Sequence, residues 1–134
     1  MSAIPKPLPP EPGPTPEKIA VAMKAFFRVA SLWDVSNEQA RVLLGRPGRA
    51  TYFLWKKGEV RTVPHDTVRR ISYVLGIYKA LQILFPIPAR ADAWPKEPND
   101  LFAGRSALDR MLGGDVTDLA AVRRTLDAVR GGGA

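Results

Sequence analysis

Apolar residues recur along this chain at intervals of three and four, in runs that glycine and proline interrupt, and no segment reads clearly as a strand. That spacing puts them along one side of an α-helix, whereas a half-buried strand needs a period of two. The reading is an all-α fold of six or seven helices, and the boundaries of each run follow from local chemistry.

Thr15, Pro16 and Glu17 supply a capping hydroxyl, a proline whose missing N–H costs nothing in a first turn, and an acid at the positive end of the helix dipole. Ile19, Met23, Phe26, Ala30 and Trp33 then share a face, so a core helix runs to about Leu32. Ser36-Asn-Glu-Gln has the form of a capping box, with Val35 and Ala40 placed as a hydrophobic staple; Leu43 and Leu44 face inward and Gly45 stops the helix. After the turn at Arg46-Pro47-Gly48, residues 49–57 make a short helix ending at Gly58. Val68, Ile71, Leu75, Tyr78, Gln82 and Phe85 mark one face of a long central helix, which Val74, Ile77, Leu81 and Leu84 widen enough to suggest a subunit interface. Residues 86–99 read as a proline-rich connection with one turn around Ala89 to Trp94. Ser106 caps a short helix carrying Leu108, Met111 and Leu112; Thr117 caps the last one, with Leu119, Val122, Leu126 and Val129 as its stripe.

Composition narrows the chemistry. The 134 residues are 46% hydrophobic, enough for a real core. No cysteine is present, which removes disulfides, thiolate metal sites and cysteine nucleophiles; His65 is the one histidine, so no histidine cluster can bind metal. No cofactor is expected. The Asp residues at 109, 115, 118 and 127 have no nucleophile or base beside them, and an enzyme is not the reading. Without an apolar run long enough for a membrane span, or a charged-then-apolar start, the chain is expected to be cytoplasmic. Seven of the 13 prolines lie in the first sixteen residues, so residues 1–14 read as a disordered or polyproline-like tail.

The formal charge is +7, and its distribution says more than its sum. Between positions 46 and 70, Arg46, Arg49, Lys56, Lys57, Arg61, Arg69 and Arg70 face only Glu59 and Asp66, a local +5. From Arg105 onward five arginines meet four aspartates. Different partners are expected at the two ends. Helix, tight turn and helix between Ser36 and Lys57 is the geometry that seats a second helix in the major groove of DNA. In that reading Arg49, Thr51 and Tyr52 reach base edges, while Arg46, Lys56, Lys57 and Arg61 meet phosphates; Phe53 and Trp55 are core. The plainer alternative is a helical hairpin with a solvated basic face.

The C-terminal motif runs Gly104-Arg105-Ser106-Ala107-Leu108-Asp109-Arg110-Met111-Leu112-Gly113-Gly114-Asp115, then Asp118-Leu119, Val122-Arg123-Arg124 and Leu126-Asp127-Ala128-Val129-Arg130-Gly131-Gly132. It resembles the toxin-binding domain of the Xre/MbcA/ParS-type antitoxins. The Arg70-Ile-Ser-Tyr-Val-Leu-Gly-Ile-Tyr-Lys-Ala-Leu stretch and the Thr51-to-Gly58 run are similar to the same family, and the likeness covers roughly residues 36–132. Membership implies an Xre-like helix-turn-helix in residues 15–63, and a dimerisation and toxin-binding region in 64–134. It also implies a homodimer that forms a hetero-oligomer with its toxin, autorepression at operator DNA, and a RES-domain toxin that consumes NAD or uses it for ADP-ribosylation.

Arg105, Arg123, Arg124, Asp127, Arg130, Gly131, Gly132, Gly133 and Ala134 are the residues expected on the toxin. A rigid helix ending in a narrow Gly-Gly-Gly-Ala tip suggests a plug: the helix's carbonyl end and the Ala134 carboxylate would compete for groups that bind a pyrophosphate, and Arg130 would pair with a catalytic acid. A stand-alone helix-turn-helix repressor is the alternative, in which the C-terminal unit only packs.

Overall fold

The computed structural model describes residues 13–131. Thr15 begins α1 (Pro16–Leu32) by accepting a hydrogen bond from the Lys18 N–H at 3.2 Å. Before α2 (Asn37–Leu43) the Ser36 hydroxyl accepts from the Gln39 N–H at 3.1 Å, and the Gln39 side chain accepts from the Ser36 N–H at 2.9 Å. Two otherwise orphaned donors are thereby satisfied, which is worth ~1 kcal/mol for a typical cap.

The far end of α2 is closed by a left-handed pair, Gly45 (φ 95°) and Arg46 (φ 60°), whose N–H groups donate to Val42 and Arg41. A side chain at Gly45 would be strained by its φ and would also press on Arg70 and Asp66. α3 (Arg49–Lys57) follows and ends at Gly58, again left-handed.

Next comes α4 (His65–Leu84), then α5 (Pro88–Ala93), two 3-10 turns (Trp94–Lys96 and Asp100–Phe102), α6 (Ala107–Met111) and α7 (Val116–Arg130). Among the described residues there are seven α-helices and no strand, as expected; one isolated bridge joins Pro98 to Ser106. The helix α4 is the spine. It packs most extensively against α7, and also against α1 and α5, so residues of both ends share a core that includes Met23, Phe26, Leu44, Ile71, Ile77, Leu81, Leu119 and Val122. The buried Thr67 hydroxyl donates to the Leu44 carbonyl at 3.0 Å and ties α4 to the end of α2.

Four expectations are corrected. Asp115, not Thr117, caps α7: its carboxylate accepts from the Thr117 N–H, and Asp118 reciprocates to the Asp115 N–H. Two cap-capable residues two positions apart compete, and the one with the acid at its third following position wins. Val129 is exposed, because the stripe of α7 outruns α4 and ends at Leu126. On α4 the fully buried row is Thr67, Arg70, Ile71, Val74, Ile77, Ala80 and Leu81, leaving Val68, Leu75, Tyr78 and Gln82 half-buried. Arg70, counted within the basic cluster, is buried beside its own-helix partner Asp66 at 2.6 Å.

Candidate functional site

Two surfaces of this helical body carry the residues singled out by their charge. The first is the α2–turn–α3 unit. Arg41 spans the turn: one guanidinium nitrogen donates to the Pro47 carbonyl at 2.9 Å, another to Glu38 at 3.2 Å. Glu38 also pairs with Arg49 at 2.8 Å, so one carboxylate links α2 to the first residue of α3. The turn is thus fixed by side chains at both ends, which sets the angle between α2 and α3.

Two residues of α3 are buried, Tyr52 and Trp55. Tyr52, expected at base edges, is only 1% exposed, and its hydroxyl donates to Asn37 at 2.9 Å, so it is a core residue. Burial first, and Glu38 second, push its pKa above the ordinary tyrosine value. Phe53, expected in the core, is 48% exposed instead, and Leu54 is 44% exposed. The two aromatics exchange roles because a core phase one residue earlier points the Tyr52 hydroxyl at Asn37.

Arg49, Thr51, Lys56, Lys57 and Arg61 are exposed, with Lys56 bonded to Asn37 at 2.6 Å. Arg46 is exposed too, but its guanidinium reaches over Gly114, between α6 and α7. It therefore stands apart from the cations on α3.

The second surface is the α6–α7 end. Ser106 and Asp109 form a capping box that sets α6, and Arg110 pairs with Asp118 at 3.0 Å. Beside them a groove of about 450 Å³ is lined by Leu101, Phe102, Arg105, Asp109, Arg110 and Asp118, with Arg105 exposed. Asp115 lies at the surface, and the hydrogen bond from the Thr117 N–H lowers its pKa below the carboxylate norm, with Arg70 adding to the effect.

On α7, Arg123 binds Asp127 with Nε 3.1 Å from both carboxylate oxygens, and Arg130 stands 3.9 Å from the same group. Arg123 is not a free docking residue: its guanidinium occupies the space a methyl group at Gly76 would fill. Arg124, Asp127, Arg130 and Gly131 are exposed. Gly132, Gly133 and Ala134 lie outside the described residues, as do residues 1–12 of the proline-rich segment. Among the described residues no group of acids and histidine could hold a metal ion, and no helix is long and apolar enough to cross a membrane.

The molecule thus joins a basic helix-turn-helix through one spine to an Arg/Asp-bearing helical end. A family model described as the antitoxin Xre-like helix-turn-helix domain matches residues 15–76, and one described as the antitoxin Xre/MbcA/ParS C-terminal toxin-binding domain matches 80–132. The chain belongs to the Xre/MbcA/ParS-type antitoxins: it is the antitoxin of a toxin-antitoxin pair, with DNA and a toxin as partners. The chain is 52% identical over 115 residues, 86% of its length and 88% of the other's, to a protein called uncharacterized protein y4oB from Sinorhizobium fredii (strain NBRC 101917 / NGR234). No solved structure matches it.

Proposed function

We propose that this antitoxin neutralises a RES-domain toxin, one that consumes NAD or uses it for ADP-ribosylation, and represses its own operon through α3. The observation that carries the first half is the form of the α7 end within the toxin-binding match: the last buried residue is Leu126, and Asp127 to Gly131 stand exposed beyond the core. A helix that outruns its own packing is suited to entering another protein's pocket. Arg105, Arg124, Asp127 and Arg130 would fix the register, Arg123 would act by holding Asp127, and residues 131–134 would fill the NAD site. No metal or cofactor of its own enters this reading, and nor does catalysis.

For the second half, Arg49, Thr51, Lys56, Lys57 and Arg61 form the DNA-facing set, with the lysines and Arg61 on phosphates. A homodimer would pack along the α1–α4 groove, an apolar trough lined by Val21, Ala22, Ala25 and Leu75. Val21→Glu is then expected to yield monomers by sedimentation.

The decisive test co-expresses the chain with the product of the adjoining gene. Full-length protein is expected to co-purify with it and to stop its consumption of NAD; removing residues 130–134 should restore that consumption. Undiminished inhibition by the truncated chain removes the plug, and an adjoining product with no NAD activity removes the RES assignment.

A further inference from the structure

The face that α3 turns to solvent carries apolar side chains at its middle, where a base-reading helix needs contact with base edges. Tyr52 and Trp55 take the inner side, which leaves Ala50, Thr51, Phe53 and Leu54 exposed between Arg49 at the start of the helix and Lys56, Lys57 at its end. Phe53 and Leu54 are an adjacent pair of half-exposed large hydrophobics on a nine-residue helix, an apolar strip open to a partner. The charge around them says what that partner is: Arg49, Lys56, Lys57 and Arg61 are exposed on α3 or just beyond it, against Glu59 and the Glu38 of α2 that pairs with Arg49. A cationic rim around an apolar strip fits a surface with phosphates outside and a hydrophobic feature inside. The major groove of A·T-containing DNA is such a surface, because thymine places a methyl group at its floor.

Resting on the DNA-binding role of the helix-turn-helix, we propose that Phe53 and Leu54 are specificity residues that recognise thymine by its 5-methyl group. The Phe53 ring is oriented in advance for this. It meets the Tyr52 ring edge-on at 5.0 Å, Tyr52 in turn meets Phe27 at 5.5 Å, and the Tyr52 hydroxyl is held by Asn37. This aromatic chain runs from the core to the surface and limits the positions Phe53 can take, so little side-chain freedom remains to be lost on binding. Apolar contact supplies discrimination without the directional bonds that Arg or Asn would give to guanine or adenine. The operator is accordingly expected to be rich in thymine at the positions under α3.

The test starts from selection of a random duplex pool on the full-length protein. The enriched duplex is then resynthesised with deoxyuridine replacing thymidine one position at a time, a change that removes only the methyl. At one to three positions the wild type should bind the uracil duplex about fourfold more weakly, the loss expected for ~0.8 kcal/mol per buried methyl-sized group. Phe53→Ala and Leu54→Ala should each erase the difference at one of those positions, while Lys57→Ala weakens thymine and uracil duplexes alike. Both apolar residues are half-exposed, and circular dichroism should show the variants folded. Equal binding of thymine and uracil duplexes at every position overturns methyl recognition and leaves DNA binding intact. A pool with no enriched sequence removes sequence-specific binding and with it this inference, and failure to retain duplex of any sequence removes DNA binding as well. Alanine variants that keep the thymine preference but lose self-association or toxin capture identify the face as a protein contact and also overturn it.

Discussion

Arg123 of α7 lies across α4 in the notch left by Gly76, with its Nε on the Asp127 carboxylate. A glycine inside a helix costs ~1 kcal/mol relative to alanine, and here that cost makes room for an interhelical arginine. Gly76→Ala alone should therefore fail to deliver the usual stabilisation, because the guanidinium must swing out and leave Asp127. In an Arg123→Ala background the same change should raise stability by about 1 kcal/mol. Urea denaturation of the four proteins in the cycle checks this; additive effects would show that the notch is unimportant.

Arg41 holds the helix-turn-helix angle through the Pro47 carbonyl and Glu38. Arg41→Leu keeps most of the packing and removes a charge-assisted hydrogen bond, so a loss of ~1.5–3 kcal/mol is expected by chemical denaturation. Affinity for the selected duplex should fall along with it, since α3 loses its fixed exit from the turn. Unchanged affinity in the folded variant would mean that the angle is set elsewhere.

Asp115 predicts an acid limb. Its pKa is lowered in the folded state, so its contribution is complete above the ordinary value of 3.8 and is lost as pH falls through the folded value. Asparagine caps helices as well as aspartate and does not titrate. Asp115→Asn should thus leave the melting temperature near neutrality almost unchanged and flatten its fall below pH 4. An acid limb identical to the wild type's would assign that loss to other carboxylates.

Tyr52 predicts the opposite limb. Burial raises its pKa, so the folded state holds the proton more tightly than the unfolded chain; its contribution is complete below pH 10.0 and is lost as pH rises through the folded value. Tyr52→Phe should cost about 1 kcal/mol at pH 7 through the bond to Asn37, and reduce the further decline above pH 10. Parallel alkaline curves for the two proteins would exclude Tyr52 as the group responsible.

What the sequence makes legible is what is encoded within a few residues. The caps at Thr15, Ser36 and Ser106, the left-handed stop at Gly45 and the end of α3 at Gly58 depend on near neighbours, and each stands where its local pattern places it. Phase on a short helix is harder: Tyr52 and Phe53 are both aromatic, and only the long-range bond to Asn37 decides which turns inward. Arg123 over Gly76 joins positions 47 residues apart. The one available signal, a single glycine inside a long helix, indicates a close approach without naming the partner. Arg46 over Gly114 is equally non-local, and so a cation placed with the DNA-facing set by its neighbours in sequence stands at the junction with α6 and α7.

Because α4 contributes its two flanks to α1 and to α7, neither end of the molecule has a core of its own to fall back on. Melting of the described helices is then expected as a single event, and whatever occupies one end would protect the other by mass action alone. A toxin bound at α7 would slow amide exchange in α1 and α4 without moving a single helix of the DNA-binding unit.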